Sequence, residues 1–462
     1  MASSPDGVIA RANAPLLVTW APARRPFAVR GADVLRAAIA LLVVANLGRI
    51  PVLTTSDREA PVLVNDLCVA AFVAVGLAIA VTRRSFRLDR VGFVALTFAA
   101  VGAASALNSG GRAGLTSFEL VVSLAYLVRW LAYLAIYLVM VNVVRARDVS
   151  AVWGTLESTM LIIAGFGIVQ AIFLPGFAQL VYAGSRPYLD WDPQGHRLVS
   201  TILEPNIAGA MLMSILLVEL AQISVGARVP RWKPLVLFTA LVLTLSRSSA
   251  LGLVLGIGVI IAVYGIPKRL LRVAAVAFLL ALAALPKLVV FAASYGKFGL
   301  DASALARLAA WGTAVRVIAD HPWIGVGFNT YGFIVEREYG IPRLGVANYS
   351  ADGGLLFAAV MTGAVGVALL VCMFILIYRR CASIWRAKIA SPTPTLPPEH
   401  RGIAIGTLAS IVAIGAHSVF VNSLFTTFVM EIMWVLVGLT FAIAHDAARV
   451  RRSEASPTAT IA

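Results

Sequence analysis

Charge is scarce in this chain. Only 13% of its 462 residues are charged and 60% are hydrophobic, a balance that would leave a water-soluble globule with far too much apolar surface. Cysteine is scarcer still: Cys68, Cys372 and Cys381 are the only three. They lie in or beside apolar segments without metal-ligand spacing, which excludes a disulfide framework and a zinc module and leaves them as packing residues. Carboxylates do not cluster in the pattern of a magnesium site, so no metal and no cofactor is expected. Short strands of alternating polarity are absent, which excludes a β-barrel. The stretch before Gly31 carries Arg11, Arg24, Arg25 and Arg30 but no long apolar run or cleavage site. It reads as a cytoplasmic tail, residues 1–31, and not as a signal peptide.

What the chain does have is long apolar blocks, each of about 18 to 25 residues, the length that carries a helix across about 30 Å of hydrocarbon. Water is missing there, so backbone amides must bond within their own helix. The reading is an all-α polytopic membrane protein of about 12 transmembrane helices. Its spans are placed at about 32–49, 61–82, 90–108, 120–143, 151–174, 206–225, 234–246, 249–266, 272–292, 354–378, 402–421 and 424–445. Basic clusters follow alternate spans, among them Arg83, Arg84, Arg87 and Arg90, then Arg228, Arg231 and Lys233, then Arg379, Arg380, Arg386 and Lys388. The positive-inside rule therefore puts both termini in the cytoplasm, and the formal charge of +16 reads as a topology signal with no nucleic-acid partner. A transmembrane domain at 32–446 is followed by a cytoplasmic tail at 447–462. Within the domain, the Pro-rich piece Pro392, Pro394, Pro397 and Pro398 marks a cytoplasmic linker at about 379–401.

Two outer loops, about 175–205 and 293–353, are unlike the rest. The first holds Tyr182, Arg186, Tyr188, Asp190, Trp191, Asp192, His196, Arg197 and Glu204. In the second, Leu305, Leu308, Trp311, Val315 and Ile318 recur at helical spacing, which predicts an amphipathic surface helix over 304–319 with Arg307 and Trp311 one turn apart on one side. Between two apolar spans, Ser246-Arg247-Ser248-Ser249 leaves almost no loop. An arginine there must face a polar cavity or the outer interface. Arg129, Asp66, Glu157, His417 and Glu431 fall in or near spans and are candidates of the same kind, without assignable partners.

Four places, in order, resemble the O-antigen ligase and O-antigen polymerase superfamily of bacterial envelope glycosyltransferases. They are Arg197-Leu198-Val199-Ser200-Thr201 continuing to Glu204-Pro205-Asn206; Leu243-Thr244-Leu245-Ser246-Arg247-Ser248; Arg307 to Trp311 followed by Pro322, Gly325, Gly327 and Tyr331; and Asp352-Gly353-Gly354-Leu355 followed by Thr362, Gly363 and Gly366. Together they cover under half of the chain. One departure matters: where ligases of the family carry histidine followed by asparagine, this chain has Asp352 followed by Gly353. That favours the polymerase side or a ligase of altered chemistry.

The resemblance implies a GT-C-like fold in the inner membrane with the active site facing the periplasm. It also implies a metal-independent transfer from an undecaprenyl-diphosphate-linked glycan donor to a saccharide or lipid A-core acceptor, with the lipid bilayer and a chain-length regulator as further partners. Arginine suits a leaving diphosphate because its planar fork stays charged and grips phosphate oxygens in pairs. Arg197, Arg247 and Arg307 are assigned to it, with Trp311, Tyr331 and Asn206 lining the substrate. Asp352, at the mouth of an apolar helix, is the expected base, ahead of Glu204, His196 and His321. Tyr182, Tyr188, Trp191 and Trp323 fit sugar stacking or an interfacial aromatic belt. A transporter or flippase for a lipid-linked glycan is the competing class. It would spread charge along a central path instead of gathering it at the outer face.

Overall fold

The computed structural model describes residues 31–44, 46, 51–53, 62–83, 86–181, 197–265, 272, 279, 302–342, 351–390 and 396–454. Helices α1 (Gly31–Val44), α2 (Val64–Thr82), α3 (Arg90–Arg112), α4 (Ser117–Val143) and α5 (Val149–Phe173) come first. Between α1 and α2, Pro51–Leu53 pairs antiparallel with Val62–Leu63 in a minimal two-stranded ribbon. Then follow α6 (Pro205–Ser224), α7 (Trp232–Leu243), α8 (Arg247–Tyr264), α9 (Ala302–Asp320), α10 (Tyr331–Tyr339), α11 (Gly354–Ala390), α12 (Pro398–His417) and α13 (Thr427–Glu454). Eight of these are long and apolar enough to cross a membrane, and they coincide with eight of the expected spans. Three more expected spans are helices that fall short of that standard: α1 with 14 residues, α7 with 12, and α12, whose first turn carries Glu399, His400 and Arg401. Of the expected span at 272–292, all but residues 272 and 279 lie outside the described residues.

Sequence chemistry sets the helix ends. Asp89 caps α3, Thr116 and Glu119 form a capping box on α4, and Glu204 accepts from Ile207 N–H with Pro205 in the first turn of α6. α6 and α12 are buried almost all round and form the centre of the bundle. Small residues let them approach. A Cβ at Gly406 of α12 would lie 2.4 Å from Val218 Cα of α6, and one at Gly252 of α8 would lie 2.8 Å from the Ala413 carbonyl of α12.

Several of the buried ionisable residues meet an opposite charge or a hydrogen-bond donor. Arg129 makes a two-pronged ion pair with Asp66 at 2.7 and 2.9 Å, joining α4 to α2. Lys233 pairs with Glu157 at the other end of the bundle, with Glu219 beside them. Glu431 accepts from Asn46 and Asn65, and Asn65 also donates to the Tyr133 hydroxyl. The cysteines are free thiols, with Cys381 buried, Cys68 partly so and Cys372 exposed.

α11 is not one helix. Gly363 sits at φ 58° and ψ −161°, a break in the middle of an apolar run. A helix broken inside hydrocarbon loses bonds that water cannot replace. The turn after α9 supplies them: Val326 and Gly327 N–H donate to the Val360 and Met361 carbonyls at 2.9 and 3.0 Å, while Ala364 and Val365 N–H donate to the Pro322 and Trp323 carbonyls at 2.8 and 3.1 Å. The same turn reaches α3, where Phe328 N–H donates to the Gly102 carbonyl and Ser105 Oγ to the Gly325 carbonyl. It is therefore a wedge locked between α3 and the break, and not merely a surface loop.

α9 agrees with the amphipathic helix expected at 304–319, and it has two distinct faces. Ala310, Ala314 and Val317 are buried against the bundle, while Leu308 and Val315 are exposed. Small side chains permit the close approach, and the larger apolar ones remain outward with Trp323 and Ile324.

A Cβ at Gly363 would lie 2.4 Å from the Trp323 carbonyl carbon, in backbone space that L-residues rarely occupy. Gly363→Ala should therefore cost about 1–3 kcal/mol and lower the thermal unfolding midpoint of the detergent-solubilised protein. Gly165→Ala, where an added methyl meets nothing within 4 Å, should leave that midpoint unchanged.

Candidate active site

The site is assembled from backbone interruptions. After the first outer loop, Leu198 N–H donates to the Leu243 carbonyl at 2.8 Å and Arg197 Nε donates to the Thr244 carbonyl at 2.8 Å. Both carbonyls belong to the end of α7, which has no helical partner for them. Gln170 of α5 secures the other side, its Oε1 accepting from Val199 and Ser200 N–H at 2.9 and 3.1 Å. Arg197 is thereby held almost fully buried, with Nη2 3.2 Å from Asn206 Oδ1 in the first turn of α6. Arg247 opens α8, capped by Ser246, and its side chain is exposed. The starts of α6 and α8 touch: a Cβ at Gly209 would lie 2.5 Å from Ser249 Oγ.

The second half comes from α9, α10 and the residues before α11. Trp311 Nε1 donates to the Asp352 carbonyl at 2.5 Å, and its ring lies 6.1 Å from that of Phe420. Arg307, one turn before Trp311, is half-buried with Asp352 and His417 both within reach of its charge. Burial raises the Asp352 carboxyl above its ordinary value, and Arg307 opposes the rise. Tyr331, 1% exposed, is close to Asp352; burial first, and that carboxylate second, push its hydroxyl up to about 12. Gly353 and Gly354 bring the Asp352 segment onto the end of α12, with Gly354 N–H 3.3 Å from the Val421 carbonyl and Leu355 N–H 3.4 Å from that of Ser418.

His417 closes the circuit. It ends α12 fully buried, beside the Asn206 backbone and within the field of Arg307. Neighbours thus run Arg197, Asn206, His417, Arg307, Asp352 and Tyr331. Of the residues expected from sequence, Arg197, Asn206, Arg307, Trp311, Tyr331 and Asp352 are brought together, and Arg247 stands next to the Thr244 turn that Arg197 grips. Glu204 is the cap of α6. His321 is engaged elsewhere, with Arg112 and with Glu338 at 3.1 Å. His196, Tyr182, Tyr188 and Trp191 lie outside the described residues. Trp323, 72% exposed, is on the outside of the protein, as an interfacial aromatic would be. Sequence reasoning did not place Gln170 or Phe420, and it met Thr244 only as part of the Ser-Arg motif. His417 was visible only as an ionisable residue near a span.

The fold defines a polytopic helical membrane protein, and the candidate site gathers arginines where the starts of α6, α8 and α9 meet the end of α12. Residues 235–371 match the family model described as O-antigen ligase, which supports the O-antigen ligase and polymerase superfamily. The match contains Arg247, Arg307 and Asp352, whereas Arg197 and His417 lie outside it. Among curated proteins nothing matches the chain. Among the described residues, no group of three or more His, Cys, Asp or Glu could hold a metal ion.

Proposed function

We propose that the protein is a glycosyltransferase that moves an undecaprenyl-diphosphate-linked oligosaccharide onto a saccharide acceptor at the periplasmic side of the inner membrane. Polymerisation of an O-antigen or exopolysaccharide is favoured over transfer to lipid A-core. An O-antigen ligase or polymerase type of activity in general follows from the family match. The observation that carries the finer reading is the run of neighbours from Arg197 through Asn206, His417 and Arg307 to Asp352. Such an arrangement sets cations beside a carboxylate whose proton affinity burial has raised. Both termini are assigned to the cytoplasm on the distribution of Lys and Arg.

In this reading Arg197, Arg247 and Arg307 hold the diphosphate and stabilise the charge that develops as it leaves. Asp352 takes the proton of the attacking hydroxyl, Trp311 and Tyr331 shape the sugar side, and Asn206 orients Arg197. No step calls on a metal. Replacing each arginine by alanine should lower transfer in vitro by about 100-fold or more with membrane insertion retained; wild-type rates in all three would sink the assignment. Transport of the lipid-linked glycan into vesicles without transfer would favour a flippase instead. A deletion strain separates the acceptors. Loss of all surface polymer attachment indicates a ligase, core capped by one repeat an O-antigen polymerase, and loss of secreted polysaccharide an exopolysaccharide polymerase.

Asp352 also dictates a pH dependence. A base works deprotonated, so transfer should fall on acidification, and the acid limb should lie above the ordinary 3.8 because the folded site raises that carboxyl. Asp352→Asn should lose about 100-fold or more in turnover and the limb with it. A wild-type pH–rate profile in the Asn variant refutes the base role.

A further inference from the structure

Gln170 lies in the last turn of α5, fully buried, and its amide grips the segment that carries Arg197. Its Oε1 accepts from Val199 N–H at 2.9 Å and from Ser200 N–H at 3.1 Å, while its Nε2 lies 3.4 and 3.5 Å from the Leu174 and Arg197 carbonyl oxygens. Backbone N–H groups can only donate, so the atom they meet is the oxygen and the amide has one orientation. The same face of α5 seats the residues around them. A Cβ at Gly167 would lie 2.9 Å from the Leu198 side chain, and Ser200 Oγ donates to the Ile163 carbonyl at 2.8 Å. Ser200 and Leu203 have φ of 50° and 60°, left-handed conformations that residues with a side chain hold only where their surroundings impose them.

We propose that Gln170 is a positioning residue for the donor's diphosphate, acting through Arg197. The proposal rests on the glycosyl-transfer reading above and adds to it a residue that touches no substrate. Arg197 is anchored along its length: its Nε meets the Thr244 carbonyl, its Nη2 meets Asn206, and its backbone lies against Gln170. Gln170 also holds the amides of Val199 and Ser200, so the point from which the guanidinium reaches is set from α5. The helix itself keeps its backbone bonds whatever side chain stands at 170. Without the amide, two buried N–H groups lose their acceptor and the segment must shift to find another. Arg197 shifts with it, and a displacement of about 1 Å is enough to spoil the paired grip of a guanidinium on phosphate oxygens.

Gln170→Leu and Gln170→Met remove the amide and keep most of the side chain's bulk. They are compared with Arg197→Ala and with a double variant that joins Gln170→Leu to Arg197→Ala. Gly438→Ala serves as a destabilised control away from the site, since a Cβ there would lie 2.3 Å from Met140 Cβ. The full-length protein in nanodiscs is supplied with the host's undecaprenyl-diphosphate oligosaccharide as donor and the same oligosaccharide on an octyl aglycone as acceptor. KM for each is measured separately, a quantity that does not depend on how much of a variant folds. Gln170→Leu, Gln170→Met and Arg197→Ala should each raise the donor KM by about tenfold or more, with the acceptor KM within about threefold of wild type. The double variant should stay within about threefold of the donor KM of Arg197→Ala alone, because Gln170 acts only through that arginine. Gly438→Ala should lower the thermal unfolding midpoint and leave both KM values unchanged. The proposal is overturned if the Gln170 variants keep the wild-type donor KM, if both KM values rise together, or if the two single effects multiply in the double variant. It is also overturned if Gly438→Ala raises the donor KM as much, or if neither Gln170 variant folds, which makes Gln170 a support of the fold and no more. Absence of transfer by the wild-type protein, or an unchanged donor KM in Arg197→Ala, overturns the diphosphate reading itself, and the proposal with it.

Discussion

Hydrocarbon offers a backbone amide nothing to bond, and two irregular features among the described residues are arranged around that fact, the end of α7 and the break in α11. α7 has 12 residues, enough for about 18 Å of helix, well short of the roughly 30 Å of hydrocarbon. Its end must therefore be satisfied by protein, and the carbonyls of Leu243 and Thr244 are met by Leu198 N–H and Arg197 Nε. The break at Gly363 poses the same problem and has the same kind of solution, four backbone bonds from the turn after α9. In both places an outer segment in sequence becomes the inner cap of a broken helix in space.

That solution decides where the chemistry can sit. A helix end that is capped by a loop brings the loop's side chains with it, so Arg197 arrives at Asn206 because the α7 carbonyls need covering. Its guanidinium serves the fold through Nε and faces Asn206 through Nη2. Arg307 is positioned differently. It is carried by a helix whose small-residue stripe packs on α11, and its neighbours are the side chains Asp352 and His417 and not a helix end. Truncating Arg197 thus removes a cap as well as a charge, whereas truncating Arg307 removes charge from the site. Loss of activity without loss of stability is a sharper result at Arg307.

The spans were legible because the apolar blocks are long and the basic residues between them alternate. The break in α11 was not. Leu355 to Ile377 reads as one apolar run, and a glycine within it is common in membrane helices; only the facing turn at 322–327 reveals that Gly363 must depart from the helix. The bundle-facing side of α9 was not legible from its large apolar residues: Leu308 and Val315 mark the exposed side, whereas helices pack most closely through small residues, and Ala310 and Ala314 mark the buried one. Six of the seven expected site residues converge because they sit on segments that the resemblance joined. His417 lies far along the chain from all of them, and no local pattern connects the end of α12 to the start of α6.

The distribution of charge separates interior support from the site. Within the bundle, Arg129 faces Asp66, and Lys233 faces Glu157 with Glu219 beside them, and such pairing makes a buried charge tolerable. Around the ends of α6, α8 and α9 the balance is different. Arg197 meets the Thr244 carbonyl and Asn206, Arg307 lies in the field of Asp352, and Glu204 accepts from Ile207 N–H as the cap of α6. The N-termini of α6 and α8 open onto the same region and add the partial positive charge of their unsatisfied amides. In the proposed reading a diphosphate bound at the junction of α6, α8 and α9 meets the arginines and those amides together, away from the ion pairs of the interior.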